Sequence, residues 1–180
     1  MSQPTDRVRT NPLLMLVVVL AFLVIIPVLV IAITTQDAFW FVKGFDLLPY
    51  RVIVYANGDS TEYMQGVEGY EQLAAAVRDT LDRGVQRGSA IGLSPESLAD
   101  AYGKYTSVEA FFEGPVKLHA AVNTHDPNQM LFLITGRHTE NPIAFMGVDG
   151  MYYSNGPILI SNEPLRAALQ ALNYDLSPAE

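Results

Sequence analysis

Leu13-Leu-Met-Leu-Val-Val-Val-Leu-Ala-Phe-Leu-Val-Ile-Ile-Pro-Val-Leu-Val-Ile-Ala-Ile33 decides how the rest of the chain is divided. These 21 residues carry no charged or strongly polar side chain. At about 1.5 Å per residue such a helix spans roughly 31 Å, the thickness of a bilayer's hydrocarbon core. It is apolar on every face, unlike a helix that lies on a soluble core. A cleaved signal peptide has a shorter apolar region and small residues at the cut. Here Ala32-Ile-Thr-Thr-Gln36 follows, a poor cleavage site. The run therefore reads as an uncleaved transmembrane signal-anchor over 13–35. It holds no ionisable side chain, so it is unsuited to carrying protons or ions. It also lacks Gly-x-x-x-Gly, the common close-packing face. Pro27 leaves the carbonyl of Leu23 without its helical donor.

Orientation follows from the flanks. Arg7 and Arg9 precede the run, and Asp37, Lys43 and Asp46 follow it. Cationic flanks stay in the cytoplasm. Residues 1–12 are thus expected to be a cytoplasmic tail, with the remainder extracytoplasmic. Phe39, Trp40 and Phe41 come just after the run, and aromatic side chains favour the headgroup level. They are the expected membrane-interface residues, within a juxtamembrane connection over 36–48. The competing reading makes them the start of the domain core.

The whole chain has 180 residues and a formal net charge of −8. Beyond residue 35 there are nine Lys/Arg against eighteen Asp/Glu. So acidic a domain repels phosphate backbones, which argues against nucleic acid as a partner. Zero Cys excludes disulfides, Cys-ligated zinc, iron–sulfur clusters, thiol catalysis and a lipid-modified cysteine. No Asn-x-Ser/Thr sequon occurs, which favours a prokaryotic exterior.

The part after the anchor is near the usual size of one domain and large enough for its own core. Tyr50–Ala56 is rich in β-formers and meets Asn57-Gly58, the signature of a type I′ hairpin turn. The return strand is then Asp59–Met64. Tyr70, Leu73, Val77 and Leu81 share one face of a helix expected over 70–87. Arg78 with Asp82, and Asp79 with Arg83, are spaced as i,i+4 ion pairs on it. Ser94 and Pro95 start a short helix to about Tyr102. Strands are expected at 108–113, 116–122, 130–135, 143–148 and 151–154, with a short one at 157–160. Asp149-Gly150 supplies a second I′ signal. A last helix begins at Asn162, with Pro164 in its first turn. The expectation is one α+β domain over 49–174, with a mainly antiparallel sheet, about three helices covering one face, and a frayed tail at 175–180.

Chemistry-bearing motifs are sparse. His119, His125 and His138 lie close in sequence, but a hairpin turning at Asp126 would separate His125 from His138 by roughly 35 Å. No metal site is expected. Arg78, Arg83 and Arg87, with Gly84, Gly88 and Gly92, form a possible anion contact. However, the glycines follow a helix, the reverse of a phosphate cradle, and cations there complement the helix dipole. Glu109 and Glu113 fall on one side of a strand and read as a solvated face. Neither Gly-x-Ser-x-Gly nor Ser-x-x-Lys occurs. An enzyme is the least expected class, and no cofactor is expected. The expected function is an accessory or scaffolding interaction module, held to the bilayer beside other membrane or envelope proteins. The alternative is a small-ligand-binding domain of the sensor type.

Overall fold

A computed structural model of the chain describes residues 11–177, apart from Lys43 and His138. The expected cytoplasmic tail lies outside the described residues but for its last two positions. The apolar run forms helix α1, Pro12–Thr35. Asn11 caps it by accepting from Leu13 N at 3.0 Å, and the left-handed Gln36 (φ 55) ends it. Nearly every side chain along it is exposed. One N-terminal helix is thus long and apolar enough to be a transmembrane or signal helix.

The remainder is α+β. β1 (Arg51–Ala56) and β2 (Asp59–Met64) make the expected hairpin, with Asn57 and Gly58 both at positive φ. After α2 (Tyr70–Asp82), β3 (Val85–Arg87) and α3 (Pro95–Gly103) come β4 (Ser107–Phe111), β5 (Gln129–Leu133), β6 (Ala144–Val148) and β7 (Met151–Tyr152). β8 (Ile158–Leu159) and α4 (Glu163–Ala171) complete the domain. Six strands form one antiparallel sheet in the order β2-β1-β4-β5-β6-β7, while β3 and β8 pair separately.

Register decides which side chains meet. Val52, Val54, Val108, Ala110, Met130, Phe132 and Met146 share one face and join α2 and α4 in the larger core. Leu131 and Phe145, opposite each other and of the other parity, join Ala101, Leu98 and Tyr102 of α3 in a second core. Helices therefore cover both faces, not one, because the central strands β5 and β6 bury apolar side chains on both sides.

Three segments depart from the sequence expectation. Helix α2 stops at Asp82, because Gly84 (φ 91) takes the left-handed terminating position and donates to Leu81 O at 2.9 Å. Residues 85–87 then become a strand. Residues 116–122 alternate as expected, burying Val116, Leu118 and Ala120, yet form no strand. Pro115 opens the segment, and it lies on the core without a ladder neighbour; Val116 N donates to Pro127 O. At α4, Asn162 holds the cap position but its side chain makes no cap bond; Ser161 Oγ accepts from Glu163 N instead. The domain's packing also runs past residue 174, since Leu176 lies against the larger core.

Candidate functional site

The residues following the apolar run are polar where the helix must stop: Thr34, Thr35, Gln36, Asp37. Both threonine hydroxyls donate back to Ile31 O, at 3.0 and 2.8 Å. Asp37 is 4% exposed. Its Oδ1 accepts from Phe39 N at 2.8 Å, and its Oδ2 pairs with His119 Nδ1 at 2.9 Å. Burial raises the Asp37 pKa, but the bonds from His119 and Phe39, with the nearby Lys117 charge, outweigh it and hold the carboxyl below its ordinary value. Lys117 Nζ donates to Gln36 O at 3.4 Å, placing a cation at the negative end of the helix dipole. Phe45, further along, is buried in the larger core, and its N–H donates to Asp82 Oδ1 at 2.9 Å. The 36–48 segment is therefore tied to the domain through Gln36, Asp37 and Phe45.

The aromatic triplet divides. Phe39 and Phe41 are 60% and 59% exposed. Trp40 is half-buried, edge-on to Phe41, and its Nε1 has no hydrogen-bond partner among the described residues. The first aromatic side chain of the core after the helix is Phe45, not the triplet.

A second constellation surrounds Glu109, which is 3% exposed and not on a solvated face as its spacing suggested. Tyr55 OH donates to Oε2 at 2.8 Å. Tyr102 OH, Tyr152 OH and Gln129 Nε2 all donate to Oε1, from 3.1 Å for Tyr102 and 2.7 Å for Gln129. Gln129 is fixed in turn by accepting from Gly150 N at 2.8 Å, so the Asp149-Gly150 turn positions it. Burial, and then the Glu109 carboxylate, push the Tyr102 phenol up to about 12 and those of Tyr55 and Tyr152 well above their ordinary value. Every Glu109 oxygen has a donor, and the phenols close over it. The arrangement stabilises the α3 face; it presents no open acid or base. Glu113 is exposed and apart from it.

The remaining sequence candidates are not brought together. Arg78 pairs with its neighbour Asp79 at 2.8 Å, and Arg83 with Glu163 of α4 at 3.2 Å, in place of the expected i,i+4 pairs. Arg87 lies on β3. His119 is engaged by Asp37, and His125 stacks on Tyr153 with centroids 4.7 Å apart. Since residues 116–122 form no strand, the hairpin used to separate the histidines does not exist. His138 lies outside the described residues. Sequence reading missed the Asp37–His119 pair, whose members stand 82 positions apart. It also missed the Glu109 cluster, in which Tyr55, Glu109, Gln129 and Tyr152 share one face of the sheet, Tyr55 and Gln129 at positions diagonal to Glu109 on the neighbouring strands.

No protein-family profile matches the chain, and neither the curated proteins nor the solved structures contain a significant match.

Proposed function

We propose that the chain is a single-pass, membrane-anchored interaction module, with residues 1–12 cytoplasmic and the α+β domain displayed outside as an accessory or scaffolding subunit. One observation carries the reading: the helix that would cross the bilayer is bound to the domain through the pair of buried Asp37 and half-buried His119. A tethered enzyme or sensor can hang on a loose linker. A subunit that must present one face to a membrane neighbour needs a defined attitude, and this junction supplies it. The exposed Phe39 and Phe41 suit the headgroup layer, where aromatic rings anchor. The domain's acidity favours protein partners over nucleic acid or an anionic lipid surface.

The test is purification of the tagged full chain from native membranes, with partners quantified. A stoichiometric set of membrane or envelope proteins, depleted when His119→Ala loosens the junction, is expected. A lone protein, or an unchanged partner set in that variant, contradicts the reading. Retention of a soluble small molecule by a lone protein would favour the sensor-type alternative.

A further inference from the structure

The end of α1 borders a cavity. Thr35, Gln36 and Asp37 line this cavity of about 240 Å³ together with Lys117, His125 and Asp126. Residues of both charges are in its lining. The Asp37 carboxylate is spent on His119 and Phe39 N. Lys117 makes one long bond to Gln36 O, which leaves most of its three donors unspent. Asp126 has no side-chain partner among the described residues, and its carboxylate is exposed. His125 and Asp126 sit at φ 59 and 43, a conformation that non-glycine side chains seldom adopt and that collects at ligand sites. Asn123 Oδ1 holds that turn by accepting from His125 N at 2.9 Å.

We propose that this cavity binds a zwitterionic phosphodiester carrying a primary amine, with the phosphate against Lys117 and His125 and the ammonium against Asp126. A plain anion fits worse, because the lining holds two carboxylates, Asp37 and Asp126, against one lysine. A plain cation meets Lys117. The chemistry belongs both to an aminophospholipid headgroup and to a soluble aminoalkyl phosphodiester. The position favours the lipid. Thr35, the last residue of the apolar helix, lines the cavity, and the exposed Phe39 and Phe41 follow within a few residues. On the anchor reading given above, on which this inference rests, the cavity opens at the headgroup layer.

The full chain is reconstituted in nanodiscs of phosphatidylcholine doped equally with phosphatidylethanolamine and phosphatidylglycerol. Lipids retained on release from the disc are counted by native mass spectrometry. Phosphatidylethanolamine should be retained about tenfold over phosphatidylglycerol, the effect of one or two charge-assisted bonds. Lys117→Met and Asp126→Asn should each remove most of that preference. Both are exposed positions, and Asn tolerates the left-handed backbone as Asp does, so the fold survives. Equal retention of the two lipids overturns the proposal, as does an unchanged preference in both variants. Glycerophosphoethanolamine is added in a parallel arm. Displacement of the lipid by it at millimolar concentration assigns the site to the headgroup alone and admits the soluble source; selectivity that resists it assigns the site to the intact lipid. Alkaline extraction of the same membranes keeps the two readings apart. A chain that washes off has lost the anchor reading, whereas a chain that stays integral but shows no lipid preference has lost only the cavity assignment.

Discussion

Replacing either member of the Asp37–His119 pair should open the junction between α1 and the domain, and by unequal amounts. In Asp37→Asn the amide oxygen can still accept from Phe39 N, so the loss is one charge-assisted bond to a part-buried histidine, about 2 kcal/mol. In His119→Ala the carboxylate, 4% exposed in the intact chain, loses its imidazole partner and keeps Phe39 N as its remaining strong donor. A buried charge stripped of its partner costs more, about 3 kcal/mol. The perturbation is local, because neither side chain belongs to the main core. Amide hydrogen exchange over 36–48 reads it directly. A 2 kcal/mol loss accelerates exchange of Phe39 N–H about 30-fold, and His119→Ala should exceed that. Because the Asp37 pKa is held below its ordinary 3.8, the pair's contribution is present above that pH and lost as pH falls below it. The wild type should therefore resemble Asp37→Asn at low pH. Exchange within threefold of wild type in both variants, or a larger effect in Asp37→Asn, would refute the reasoning.

Other consequences are separately testable. The raised tyrosine pKa values mean that the folded domain holds phenolic protons which the unfolded chain releases near pH 10. Stability should be intact below pH 10 and fall as pH rises toward 12, followed by urea midpoints across that range. Tyr152→Phe removes a donor to Glu109 and the acceptor of a 2.8 Å bond from Gln129, and should cost about 2 kcal/mol by denaturant titration. In Gly156→Ala the new Cβ would lie 2.5 Å from the Ala144 carbonyl oxygen, which is backbone and cannot yield cheaply. A loss of about 3 kcal/mol is expected, with thermal melting as the check.

The parts of the fold set by local chemistry were legible. Asn57-Gly58 and Asp149-Gly150 demand positive φ at both turn positions, and both turns form. Ser94 caps α3 through Ser97 N, as its position before Pro95 implied. What failed depends on who covers what. Period two placed Glu109 on a definite side of β4, but only the return of α3 over that side, with Tyr152 reaching across from β7, decides that it is buried. Alternation at 116–122 was real, yet a strand needs a neighbour, and none comes alongside. His119 has nothing in its own neighbourhood to mark it. Its partner is the first acidic residue after the apolar helix, and the contact exists only because the chain folds back to the end of α1.

The account turns on which side of the membrane the domain occupies, and the absence of cysteine makes this directly measurable. Met151→Cys places a thiol on the domain at a position 75% exposed, and Ser2→Cys places one before the helix. Intact cells expressing each variant are treated with a membrane-impermeant maleimide, then lysed and fractionated. The account predicts that Met151→Cys is labelled in intact cells and found in the membrane fraction at full length, with Ser2→Cys labelled only after permeabilisation. Labelling of Ser2→Cys in intact cells, or a shortened domain released from the membrane, would contradict it.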